Sequence, residues 1–195
     1  MLPKSIKTER TQYLQDVLNK FAPESLNTWP APTKEDYQTI GMIIVFFGYI
    51  DYNLRSLLEI LDHTGKVDDK WKGKTANLTM ADAATAVQSS PIWPEEAVKA
   101  LKEIELLRGL RNLMAHFMVR RFPNDDALVF VAKSTRDFKQ QFNTLPELGQ
   151  SLNAVMDGPQ IQIYLKRIET LQKWISTASP ALEKTLMPPA PPAES

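Results

Sequence analysis

The chain has 195 residues, 43% of them hydrophobic, which suits one domain with extensions and a sizeable core. Lys+Arg and Asp+Glu both number 23, so the formal net charge is zero, which argues against coating nucleic acid by bulk positive charge and leaves only a local basic patch. With no cysteine, disulfides, thiolate zinc sites and a cysteine nucleophile are excluded.

Met1 to Arg10 is polar and has no apolar core of a secretory signal. Ser5–Phe21 reads as a first helix, with Tyr13, Leu14, Val17, Leu18 and Phe21 at helical spacing. Pro23, Pro30 and Pro32 make Ala22–Thr33 a connection. Thr33 is placed to cap a second helix, with Asp36 at the third position of a capping box. That helix is expected to run to about His63 through Ile40, Ile43, Ile44, Phe47, Ile50, Leu54, Leu57, Leu58 and Leu61. Its longest apolar run, Ile40–Ile50, is shorter than the roughly 20 residues a membrane span needs, so it reads as a core helix. A cytoplasmic protein with no membrane partner is expected.

Thr64–Asn77 is polar and reads as a loop; Thr79–Val87 reads as a short helix and Ser89–Trp93 as a turn. Pro94, Glu95 and Glu96 then open a helix expected to reach Val119, because proline suits its first turn and acids suit its positive end. Phe122–Asp126 is a turn signal. Ala127–Ala132 is the one convincing β-run, predicted to form a short hairpin with Phe117–Arg121. Leu145–Thr177 reads as mostly helical, broken or kinked at Gly158-Pro159. The predicted division is 1–32, N-terminal helix and connection; 33–178, helical bundle; 179–195, a proline-rich disordered tail. The fold class expected is mainly α.

The Pro94–Val119 helix carries the concentrated chemistry. At about 100° per residue, Arg108, Asn112 and His116 fall within about 80° of one another, with Arg111 about 60° to the other side of Arg108. Ala115 floors this face, while Leu106, Leu110, Leu113, Met114 and Phe117 gather opposite it. From Leu106 to Arg121 there are four arginines and no acid. A guanidinium fork matches phosphate oxygens, and imidazole moves protons near neutrality. This pairing suits cleavage of a phosphodiester whose own 2′-hydroxyl attacks, needing neither metal nor protein nucleophile. Read from the residues alone, the same set also fits a solvated helix face with a histidine at its negative end. Upstream, Val98, Leu101 and Ile104 fall on or beside the Arg108 face, which predicts an apolar surface that a second copy would cover.

Arg111-Asn112-Leu113-Met114-Ala115-His116 resembles the R-x4-6-H motif of the HEPN superfamily (higher eukaryotes and prokaryotes nucleotide-binding), with a polar residue after the arginine and Ala-His-Phe late in a long helix. The resemblance covers roughly Thr33 to Thr177. It implies an antiparallel helical bundle that forms a homodimer and is a metal-independent endoribonuclease, or a non-catalytic module binding RNA, a nucleotide or a protein. It implies Arg111 and His116 as the catalytic pair and Asn112 as support, with no cofactor or metal. RNA is the expected substrate or ligand, and a toxin–antitoxin or defence setting with a cognate antitoxin is expected. Arg108, Arg120 and Arg121 are added as RNA-phosphate contacts from their placement. Asp51, Arg55 and Glu59, at i, i+4 and i+8, form a polar stripe read first as intrahelical ion pairs; Asp51 or Glu59 is the candidate to support the motif. His63 reads as a helix-end residue, and Trp29, Trp71, Trp93 and Trp174 read as packing residues.

Overall fold

A computed structural model describes residues 7–21, 23–74, 78–132 and 152–186. Among the described residues the chain is mainly α, with five α-helices and one three-stranded sheet. The helices are α1 (Glu9–Leu18), α2 (Lys34–His63), α3 (Met80–Gln88), α4 (Glu95–His116) and α5 (Gly158–Leu186). The strands are β1 (Met118–Arg121), β2 (Ala127–Ala132) and β3 (Leu152–Asp157), and a 3-10 turn spans Pro23–Thr28. The chain packs as two compact units, Met1–Ile44 with Arg108–Lys166 and Val45–Leu107 with Arg167–Ser195. These interleave along the sequence, unlike the linear division into 1–32, 33–178 and 179–195.

Local chemistry explains the helix starts. The Thr33 backbone N–H donates to Asp36 Oδ2 (2.7 Å) and the Asp36 N–H donates to Thr33 Oγ1 (3.2 Å), the reciprocal capping box that satisfies two orphan donors of α2. Thr8 and Thr11 form a capping box on α1, and the Thr79 hydroxyl caps α3 by accepting the Asp82 N–H. The second helix therefore begins one residue after Thr33 and ends at His63 as its periodicity predicts.

In the first unit the sheet order is β1-β2-β3, antiparallel throughout. The predicted hairpin is present, with Met118 opposite Val131 and Arg121 opposite Leu128. One face of the sheet, with Val129, Val131 and Val155, joins Leu14, Leu18, Leu26, Trp29 and Phe122 in a core cluster. Trp29 packs edge-on against Phe21 and Phe122, at ring separations of 5.3 Å and 5.1 Å. Leu128 and Phe130, which alternate to the other face, are equally buried, so β2 is covered on both sides.

β3 is a correction. Leu152–Asp157 was expected to be helical and is a strand, pairing with β2 from Ala127 opposite Asp157 to Ala132 opposite Leu152. Gly158-Pro159 is not a kink but the start of α5, where proline's missing N–H is no loss. The helix also continues past Thr177 through Pro180 to Leu186, so residues 179–186, expected in the disordered tail, are helical. The rest of that tail, 187–195, and the predicted helical stretch 145–151 lie outside the described residues.

Gly158 has a steric reason. A Cβ there would stand 2.5 Å from an Asp126 carboxylate oxygen, and the Gly158 N–H donates to the Asp126 carbonyl (2.8 Å). Asp126 in turn is tied to Arg121 at 2.9 Å. Gly158→Ala is expected to push Asp126 off Arg121 and lose about 0.5–1 kcal/mol in urea unfolding. In an Asp126→Ala background most of that loss should vanish; an unchanged loss would show that the clash is not its cause.

The second unit is helical. Phe47, Ile50, Leu54, Leu57 and Leu61 from α2, Ala83 and Val87 from α3, Leu101, Ile104 and Leu107 from α4, and Ile168 and Ile175 from α5 are all buried. Side chains clasp its elements: Arg55 donates to the Leu78 carbonyl (3.1 Å), Trp93 Nε1 to the Val87 carbonyl (2.6 Å) and Arg167 to Glu103 (2.6 Å). By length and composition alone α2 is also long and apolar enough to cross a membrane, and 33% of its most apolar stretch is buried in protein. Its Tyr37, Met42, Val45, Tyr49 and Tyr52 are exposed.

Candidate functional site

The site grows from the last two turns of α4. Arg108, Arg111 and Asn112 are half-buried there, and Ala115 and His116 are exposed. Leu110, Leu113 and Met114 are buried, which anchors the helix and fixes its polar face outward. The Arg111 guanidinium donates to Asn112 Oδ1 at 3.3 Å, so the amide restrains the cation. His116 is the last residue of α4, at the negative end of the helix. No described residue hydrogen-bonds or ion-pairs with its imidazole. The motif residues Arg111, Asn112 and His116 thus share one helix segment, with a restrained cation on one flank and an open imidazole on the other.

Arg108 and Arg120 each bury Nε without a hydrogen bond among the described residues. A buried unpaired donor is costly, so both guanidiniums have unused capacity for an anion. Arg120 and Arg121 are neighbours on β1, so their side chains leave opposite faces of the strand.

Arg121 has a different job from the one expected. Its Nη1 lies 2.6 Å from Asp36 Oδ2 and its Nη2 lies 2.9 Å from Asp126 Oδ1. The Arg121 backbone N–H also donates to the Pro30 carbonyl (2.9 Å). Arg121 therefore braces the start of α2 and the β1–β2 turn, and its charge is spent on two carboxylates. Sequence reading missed this because Asp36 lies 85 residues away. The one local signal was Asp126, at the close of the predicted turn.

Burial alone would raise the Asp36 carboxyl, but the Thr33 N–H, the Arg121 guanidinium and the Thr33 hydroxyl outweigh it and hold the group below its ordinary value. A carboxyl depressed in the folded state stabilises the fold above its unfolded value, near pH 3.9, and that contribution is lost as pH falls through the folded value. Asp36→Asn should lose about 1 kcal/mol in urea unfolding at pH 7 and distinctly less at pH 3. An equal loss at both would show that the charge of Asp36 contributes nothing. Asp157 goes the other way: burial pushes it up, Arg10 opposes this, and Asp126 and Asp125 add to it.

Asp51 and Glu59 lie in the second unit. Asp51 accepts from Arg55 Nε at 3.2 Å, the expected intrahelical pair, and its Oδ1 is buried without a partner among the described residues. Glu59 is exposed and lines an open cleft described below. Of the apolar surface predicted at Val98, Leu101 and Ile104, the last two are 1% and 0% exposed, covered within the chain itself, and Val98 is half-buried. That removes the argument for a second copy drawn from the first half of α4, since a single helix wheel cannot show that this half buries the side the second half presents. Among the described residues no group of three or more His, Asp or Glu is placed to hold a metal ion. Compared with known proteins, the chain matches no protein-family model, no curated protein and no solved structure, so the case for this site rests on its own residues.

Proposed function

We propose that the end of α4 is half of the active site of a metal-independent endoribonuclease of HEPN type, completed by a second copy of the chain. The observation that carries this is the pairing of an amide-restrained Arg111 with an exposed His116 on one helix segment. Arg111 and His116 stand about 140° apart around α4, flanking Asn112 and Ala115. Two such faces crossing antiparallel would bring the His116 of one copy toward the Arg111 of the other. A ribose 2′-hydroxyl then attacks the adjacent phosphorus, and the bond to the 5′-oxygen breaks. His116 takes the hydroxyl proton and returns it to the departing 5′-oxygen, Arg111 offsets charge on the phosphoryl oxygens, and Arg108 and Arg120 hold flanking phosphates. The products are a 2′,3′-cyclic phosphate and a free 5′-hydroxyl. The same resemblance gives such an enzyme a toxin–antitoxin or defence setting and an antitoxin as partner.

The test is RNA incubated with the protein in EDTA, its ends mapped chemically. Cleavage leaving cyclic phosphate ends is expected; intact RNA overturns the catalytic reading. A second reading, a non-catalytic module that binds RNA, a nucleotide or a protein, is favoured by one observation. Nothing among the described residues orients the His116 ring, as a general base requires. On that reading RNA binding falls with Arg111→Ala and is unchanged by His116→Ala.

A further inference from the structure

The second unit holds an open cleft of about 580 Å³ between the latter part of α2 and the last turns of α5. This is within the size range of small-molecule sites. Its walls carry two carboxylates, Glu59 and Glu183, one imidazole, His63, and neither lysine nor arginine. The lining is rich in acceptors for a structural reason. Asn53 donates its amide N–H groups to the Tyr49 carbonyl (2.8 Å) and Ser176 Oγ (3.3 Å), which leaves its carbonyl oxygen as the group still to be satisfied. Pro180 has no N–H, so the Ser176 carbonyl loses its helical donor at the same place.

Independently of the carboxylates, Ser179 lines the cleft, is only 6% exposed, and its hydroxyl engages no other described residue. A hydroxyl held this deep without a partner marks a position where a ligand atom completes it. Ile60 and Pro180 supply apolar wall between the polar groups, and Tyr52, also in the lining, is largely exposed.

The ligand that fits is positively charged, rich in N–H donors and apolar between its charges. The apolar wall between the two carboxylates suits an organic cation that carries methylenes between its charges. We propose that this cleft binds an aliphatic di- or polyamine, its ammonium groups on Glu59 and Glu183 and its methylene chain along Ile60 and Pro180. The site lies in the second unit and does not depend on the RNA reading of α4.

The experiment titrates the full chain calorimetrically with 1,8-diaminooctane, with 1,8-octanediol as a neutral match and with Nα-acetyl-lysine-N-methylamide as a single ammonium. One diamine per chain is expected, with binding weakened about tenfold in Glu59→Gln/Glu183→Gln. Both substituted residues are exposed, so the variant should fold. The diol should give no binding, and the lysine derivative should bind several-fold more weakly than the diamine. No diamine binding, equal binding by the double variant, or equal binding by the diol or the lysine derivative would each overturn the proposal.

Discussion

His116→Ala is expected to reduce RNA cleavage by about 10²–10⁴-fold, the usual contribution of a positioned acid–base group. The substitution should leave the fold intact, because His116 is exposed at the end of α4 and supports no core contact among the described residues. Arg111→Ala should cost about 10²–10³-fold through lost charge stabilisation in the transition state. Arg111→Lys should not restore full activity, since an ammonium cannot hold the Asn112 oxygen and a phosphate in one planar fork. Rates are measured in EDTA on a uniform RNA, with circular dichroism checking that each variant is folded. Equal rates for the parent and His116→Ala would remove His116 from the chemistry whatever Arg111 does.

Phe130→Ala is expected to have the largest effect on stability. Phe130 is 0% exposed on β2, the central strand, between Val119 of β1 and Ala154 of β3. Truncating a fully buried phenylalanine removes its transfer free energy and leaves a cavity, together about 3–5 kcal/mol. Total stabilities are typically about 5–15 kcal/mol, so the variant should show a much lower urea midpoint or fail to fold. Phe130→Leu keeps most of the volume and should lose less than about 1.5–2 kcal/mol. A loss below about 1 kcal/mol for Phe130→Ala would mean that this strand is not the packed centre of its unit.

The elements that were legible in the sequence are those decided locally. Thr33 and Asp36 announce the start of α2 because the capping box needs only residues three apart, and both of its hydrogen bonds form. The β1–β2 hairpin was legible because Pro123-Asn124-Asp125 punctuates two β-prone runs, and Asn124 takes the positive φ of 56° that asparagine tolerates. β3 was not legible for a complementary reason. Leu152, Ala154 and Met156 are good helix formers, and only pairing with β2, some 25 residues earlier in sequence, makes them a strand.

The site divides the same way. Arg108, Arg111, Asn112 and His116 could be placed on one part of α4 from spacing alone, because helix geometry is local. Which arginines are available could not. Arg121 looks as basic in sequence as Arg120, yet its partner Asp36 stands on another element and neutralises it. The burial of Leu101 and Ile104 was equally hidden, since it depends on what packs against α4.

The joint after α4 constrains how the chain can vary. Helix α4 ends at His116 and β1 begins at Met118, so Phe117 alone connects them, its N–H still donating to the Leu113 carbonyl at 3.1 Å. Consecutive Cα atoms are about 3.8 Å apart, which leaves this connection no slack. One inserted residue would have to shift β1 along β2 and turn every β1 side chain to the opposite face. Arg120 would then take the bracing position beside Asp36, and Arg121 would turn away. What the fold requires here is a length rather than a residue type: side chains can be exchanged at Phe117, but insertions and deletions between His116 and Met118 cannot be absorbed.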